Sequence, residues 1–201
     1  MASVGVVYVA YGDRAKAECR ASIEALTKLN NLPVAIISDG PVLGRARTII
    51  FGEPGAGARW AKLNIPCLVD YDTIVYLDAD TRPYGDLTPL IRIAQDWEIV
   101  ISFSENQGTN ALQHIKAAER EATVSEIRNP FPLQAQCGVI VFNRLRCLKL
   151  FEVWRDEYSR YKDKDQAAFL RALYREPVRV WFVGRDWNNG EMIQHLFGRA
   201  R

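Results

Sequence analysis

Apolar residues fall along this chain in short, punctuated runs. Val4 to Ala10 is β-branched and nearly all apolar, as a parallel strand covered on both faces should be. Arg14 to Leu29 then places Ala17, Ala21, Ile23, Ala25, Leu26 and Leu29 at helical spacing. Val34 to Ile37 is a second short strand, closed by the turn cluster Ser38-Asp39-Gly40, and Arg47 to Phe51 reads as a third. Gly52 to Gly57, with Pro54, predicts a loop; Ala58 to Leu63 predicts a helix that stops before Pro66. Thr73 to Leu77 predicts a fourth strand, running directly into Asp78-Ala79-Asp80.

The second half is less regular. Glu98 to Phe103, Cys137 to Phe142 and Val178 to Val183 read as strands, and Leu145 to Tyr158 and Asp165 to Tyr174 as helices. Ser104 to Leu133 is a long polar stretch, read as a mobile flap with one helix near Leu112 to Glu121. Strands alternating with helices imply βαβ units and a parallel sheet, whose ligands sit beyond the carboxyl ends of the strands. That rule gathers Tyr11, Asp39 and the Asp78/Asp80 pair.

With 201 residues the chain suits one α/β domain. A formal net charge of +2 gives no electrostatic case for nucleic acid. No apolar run approaches the roughly 20 residues that span a bilayer, so no transmembrane segment is expected. The start lacks a basic, then apolar, secretory leader, and a cytoplasmic location is expected. Cys19, Cys67, Cys137 and Cys147 form no Cys-x-x-Cys pair and are expected to be buried thiols. The five tryptophans are expected in the core rather than as stacking platforms, and His114 is expected to have no special role.

Two carboxylates directly after a buried strand need a reason. In extended chain, residues two apart project to the same side, roughly 6.5–7 Å apart. Both can then approach one hard cation, Mg²⁺ or Mn²⁺, which takes oxygen ligands and completes its shell with substrate phosphates. Turn-capping aspartates give the same pattern without a metal; position at the end of a buried strand favours the ligand site.

The stretch Tyr71-Asp-Thr-Ile-Val-Tyr-Leu-Asp-Ala-Asp-Thr81, followed by Gly85-Asp86-Leu87, resembles the signature of family 8 and related GT-A glycosyltransferases. Further matches follow in the family's order: Gln136-Cys-Gly-Val-Ile-Val-Phe-Asn143, Asp165-Gln166, Trp187-Asn188 and His195-Leu-Phe-Gly198. The resemblance implies the GT-A (nucleotide-diphospho-sugar transferase) fold over residues 1–201, a Rossmann-like, mostly parallel central sheet flanked by helices. Residues 1–80 would form its nucleotide-binding half and 81–201 its donor-sugar and acceptor half. It implies a retaining hexosyltransferase moving sugar from a nucleotide-diphosphate donor, a UDP-sugar by default, to a saccharide, lipid-linked or protein hydroxyl. Asp78, Asp80 and His195 would hold Mn²⁺ (or Mg²⁺), with Ala79 between the carboxylates.

The resemblance places other residues too. Arg59 and Lys62, sharing a helix face, match positions that contact donor phosphates. Ala10 and Tyr11 lie where the family binds base and ribose; Tyr11 replaces a common acidic residue and offers a ring to stack on the base. Asp39 is a candidate for a ribose hydroxyl. Asp165 and Gln166 match residues lining the transfer centre, Gln136 and Gly138 the Asn-x-Gly element with Gln for Asn, and Glu105 a donor or acceptor contact. Beyond Gly198 the family has Lys-Pro-Trp, where this chain has Arg199 and Arg201. Two alternatives stand beside this reading. One is a GT-A-like domain that binds nucleotide sugar or glycan without transfer. The other is a haloacid-dehalogenase-type phosphatase, whose Asp-x-Asp motif Leu77-Asp-Ala-Asp-Thr81 superficially resembles, although that motif normally opens the first strand.

Overall fold

The computed structural model describes residues 2–42, 44, 46–52 and 57–200. The middle of the loop expected at Gly52 to Gly57, and Arg201, lie outside them. Strands β1 (Val4–Ala10), β2 (Val34–Ser38), β3 (Arg47–Ile50), β4 (Thr73–Asp78), β6 (Ile99–Phe103), β7 (Ala135–Asn143) and β8 (Val180–Val183) form one seven-stranded sheet in the order β3-β2-β1-β4-β7-β6-β8. Neighbours are parallel except at β7, which is antiparallel to both β4 and β6. Helices α1 (Gly12–Leu26), α2 (Ala58–Leu63), α3 (Ile65–Leu68), α4 (Thr88–Asp96), α5 (Ala117–Ile127), α6 (Arg144–Tyr161), α7 (Asp165–Arg175) and α8 (Asp186–Asn189) complete the chain with a second sheet, the ribbon β5 (Thr81–Pro83) and β9 (Ile193–His195).

The continuous apolar run of β1 is explained by two cores, one on each face of the sheet. Val7 and Val9 join Ile37, Ile140, Phe142, Phe151 and Trp154 on one face; Val6, Tyr8 and Ala10 join Ile36, Val75, Leu77 and Leu90 on the other. This is the two-residue alternation of a strand. Phe151, Trp154 and Phe169 pack in sequence as tilted rings, with centroids 5.3 and 4.5 Å apart, and fasten α6 to α7. Glycine at position 5 is required by packing, since a Cβ there would lie 2.2 Å from the Tyr71 ring.

Several expectations are corrected. The helix expected at Leu112 to Glu121 lies at Ala117–Ile127 instead. Leu112 and Ile115 serve as buried plugs of a turn against Ala167 of α7, not as a helical stripe. The supposed flap is tied down: Gln134 accepts from Leu112 N at 2.7 Å, and Arg171 of α7 reaches Glu119 of α5 at 3.0 Å. Cys67 is exposed, while the other three cysteines are buried. Of the tryptophans only Trp154 is fully buried, and Trp181 is exposed on β8, the last strand of the sheet. Among the described residues no helix is long and apolar enough to cross a membrane.

The antiparallel insertion of β7 positions the site. Because Leu77 pairs with Val139, the start of β7 lies beside the end of β4. The carboxyl ends of β1, β4 and β6 therefore share one edge with Gln136, Cys137 and Gly138.

Candidate active site

A cleft of about 590 Å³ opens along that edge, with Asp78, Asp80, His195, Arg59, Lys62, Asp165 and Gln166 among the residues lining it. Each acidic residue arrives for a local reason. Asp78 closes β4, and Thr81 Oγ1 donates to its carbonyl at 2.8 Å, turning the chain so that β5 departs sideways. β5 pairs with β9, setting Thr81 opposite His195, and Leu196 N donates to the Asp80 carbonyl at 2.9 Å. The family-like Gly85-Asp86-Leu87 segment is structural. Asn30 receives Leu87 N at 2.9 Å and donates to the Gly85 carbonyl at 3.0 Å, fixing the exit from β5.

His195 Nε2 lies 3.2 Å from Asp80 Oδ1 and 3.6 Å from Asp78 Oδ2, and one ligand atom from each residue falls within 4.8 Å of the others. Ligands at neighbouring corners of an octahedron with bonds of about 2.1 Å are about 3 Å apart, so this trio needs little adjustment to close on a cation. The opposite ring nitrogen, Nδ1, is 3.2 Å from Asn188 Oδ1. An amide oxygen only accepts, so Nδ1 carries a proton; Nε2–H can donate to Asp80, and in the neutral tautomer the Nε2 lone pair is free for a cation, as metal-bound histidines are held. Phe197 stacks on the imidazole at 4.0 Å. A Cβ on Gly138 would lie 2.3 Å from His195 Cε1 and 3.0 Å from Asp78 Oδ2, so only glycine leaves room for this arrangement. Burial pushes the Asp80 carboxyl up, but the His195 hydrogen bond and charge outweigh it and bring the group down to about 2. The residues fit a hard or borderline divalent ion with mixed oxygen and nitrogen ligands.

Across the cleft Lys62 is buried. Its Nζ contacts the Cys137 carbonyl at 2.5 Å and Asp165 Oδ2 at 2.6 Å, with Asp78 Oδ1 at 4.0 Å. It is therefore paired with Asp165 while still lining the cleft. Burial raises the Asp165 carboxyl, and the Lys62 ammonium more than offsets this, holding it ionised. The same helix face carries Arg59 into the cleft. The Tyr11 hydroxyl donates to the Phe51 carbonyl, fixing its ring in the cleft wall.

Other candidates stand elsewhere. Ala10 is fully buried, its carbonyl receiving Ser38 Oγ at 2.6 Å, and Val9 and Tyr11 form the wall instead. Asp39 binds Lys16 at 2.8 Å and Gly12 N at 3.0 Å, which ties the start of α1 to β2 outside the cleft lining. Glu105 is engaged by Asn189 at 3.0 Å and Arg185 at 3.2 Å, beside a small separate hollow. Ala79, Gln136 and Gly138 do line the cleft. The contact of Asn188 with His195 was not anticipated, although the Trp187-Asn188 motif was a signal, and His114, expected to have no special role, lines the cleft.

The sheet order, the β4 exit and the β5–β9 ribbon define a GT-A glycosyltransferase fold, shared with solved structures of low sequence identity. Galactosyltransferase LgtC, solved with donor and acceptor sugar analogs, is similar with a TM-score of 0.60 at 19% identity, over 90% of this chain and 73% of that one. Mouse xyloside xylosyltransferase 1 gives 0.62 at 12% identity, over 92% and 87%. GlyE of Streptococcus pneumoniae TIGR4 gives 0.62 at 15%, over 94% and 47%. No curated protein sequence matches the chain. Residues 53–190 match the profile of Glycosyl transferase family 8, and the chain belongs to that family.

Proposed function

We propose that this glycosyltransferase moves a hexose from a nucleotide-diphosphate sugar, a UDP-sugar by default, to a hydroxyl acceptor, using a divalent ion held by Asp78, Asp80 and His195. The observation that carries the reading is the convergence of these three ligand atoms with Nδ1 of His195 already engaged by Asn188. Mn²⁺ suits the mixed ligand set, with Mg²⁺ as substitute. When bound, the ion neutralises charge gathering on the departing diphosphate.

The chain's own groups supply the rest. Arg59 sets a fixed positive charge in the same cleft for the phosphates. Tyr11 offers an immobilised ring against which a base stacks. Asp165, kept ionised by Lys62, faces the donor sugar, where a carboxylate orients hydroxyls and stabilises oxocarbenium character. Gln166 follows it into the cleft and Gln136 lies opposite. A retaining outcome is proposed from the family resemblance. Residues 1–80 serve the nucleotide and 81–201 the sugars within one domain. The acceptor class is a saccharide, a lipid-linked glycan or a protein hydroxyl, and the location is cytoplasmic.

The test is a screen of nucleotide-diphosphate sugars with and without Mn²⁺, followed by thermal shift and by release of nucleoside diphosphate. A metal-dependent rise in melting temperature with one donor class, accompanied by turnover, is expected. Tight donor binding without turnover would make this a non-catalytic sugar-nucleotide-binding domain. Phosphate release from simple phosphomonoesters alone would restore the phosphatase alternative, against the fold.

A further inference from the structure

We infer that His114 is a positioning residue that sets the amide orientation of Gln166 and, through it, of Gln136 inside the transfer cleft; this rests on the sugar-transfer reading above. His114 Nε2 is 2.5 Å from Gln166 Oε1, and Gln166 Nε2 is 2.8 Å from Gln136 Oε1. All three side chains line the cleft. The direction of this chain follows from chemistry. A carboxamide oxygen only accepts, so the His114 Nε2–H donates to it. The Gln166 amide group is thereby left as the donor to Gln136 Oε1, which turns the Gln136 NH₂ toward a sugar hydroxyl. Take away the imidazole donor and both amides are free to flip, exchanging donor for acceptor at the sugar.

The chain goes to some length to hold this imidazole. Leu112 sits at φ 61°, a left-handed conformation that is strained for a leucine. It persists because Leu112 is fully buried and its N–H donates to Gln134 Oε1 at 2.7 Å. Gln134 is itself fully buried, with its N–H donating to Gln107 Oε1 at 3.0 Å. Ile115 N closes the turn onto the Leu112 carbonyl at 3.0 Å, and both side chains plug onto Ala167, the residue after Gln166. Lys116 N then donates to Asp163 Oδ2 at 3.2 Å, just ahead of α7. The exposed His114 is thus flanked by two buried anchors, and the helix turn they grip carries the glutamine that it touches.

The test uses the full chain and two measurements. In ¹⁵N-resolved spectra of side-chain amides, His114→Ala is expected to shift the NH₂ signals of both Gln166 and Gln136, and His114→Gln, which retains a donor, to leave the Gln136 signal near its wild-type position. Unmoved glutamine signals in His114→Ala would overturn the inference whether or not the protein transfers sugar. In turnover assays His114→Ala is expected to lower kcat by about tenfold, the scale of one lost orienting hydrogen bond, with donor KM within about twofold and recovery in His114→Gln. An equal loss in both variants, or a change confined to KM, would overturn it. Absence of transfer in the wild type would sink the functional reading instead, and the amide spectra would still decide whether His114 orients the pair.

Discussion

Two groups of charged side chains are drawn into this protein, and only one of them opens onto the main cleft. Between α5, α6 and α7, Arg171 is fully buried, with Nε 2.7 Å from Glu157 and Nη2 3.0 Å from Glu119, and Thr123 accepts from Nη1. Arg160 and Arg175 complete it from the rim, at 2.7 and 3.0 Å from Glu157. Three arginines thus face Glu119, Glu126 and Glu157. At the edge of the sheet, by contrast, Asp78, Asp80 and Asp165 gather around Lys62 and the His195 imidazole, with Arg59 in the same cleft. The first cluster has its countercharges built in, and none of its residues lines that cleft. The second brings two carboxylates and an imidazole within 4.8 Å of one another and opens onto 590 Å³ of cleft. Clustered charge alone does not mark a site; carboxylates and an imidazole converging at a cavity do.

The comparison can be broken most severely at the carboxylates. Asp78→Ala or Asp80→Ala should each reduce sugar transfer by at least about 1000-fold, since charge stabilisation of this kind is worth several kcal/mol in the transition state. Their circular dichroism should remain native, because each removes a carboxylate from a cluster already in excess of them. Activity surviving in either folded variant would contradict the mechanism. Arg171→Met is the converse experiment. It strands Glu119 and Glu157 in the interior and should cost about 3–5 kcal/mol in chemical denaturation. At temperatures where it stays folded, its Mn²⁺ affinity should match the wild type; a loss there would mean that the two clusters are coupled.

A smaller effect sharpens the metal side. Asn188→Ala frees the Nδ1 of His195 and should weaken Mn²⁺ binding by about 10–100-fold in a titration, without unfolding the chain. Unchanged affinity would leave Asn188 as packing only. Acid separates the clusters by sign. The Asp80 carboxyl is depressed to about 2 from an ordinary 3.8, so its stabilisation is present above pH 3.8 and is lost as pH falls toward 2. Glu119 is raised by burial, with Arg171 opposing, so its contribution runs the other way and becomes more favourable as it protonates. In acid titrations followed by fluorescence, Asp80→Asn should flatten the loss of stability below pH 3.8 and Glu119→Gln should not.

The sequence was most readable where a segment's surroundings are uniform. β1, β2 and β4 are covered on both faces, so their apolar runs declare them, and Asp78 and Asp80 follow from β4 because ligands gather at strand ends. The ribbon that delivers His195 was unreadable from periodicity. β5 and β9 have three residues each and pair across most of the chain's second half, so only motif order pointed to that histidine. Asp39 and Glu105 have the right chemistry and strand ends, yet Lys16 and Arg185 engage them locally, a choice set by side-chain reach that spacing does not encode. Arg59 and Lys62 were placed on one helix face, but nothing local said that Lys62 would be buried against Asp165, 103 positions later. His114 was passed over for a related reason. Its partners come from α7 and β7, and its apolar neighbours Leu112 and Ile115 imitate a helix while anchoring a turn.

Calorimetric titration of Mn²⁺ into the full chain, alone and with a nucleoside diphosphate present, addresses the site directly. One ion per chain is predicted, tighter with the diphosphate, and lost in both Asp78→Ala and Asp80→Ala. Failure of the wild-type protein to bind the ion under either condition, or undiminished binding in the two variants, would contradict it.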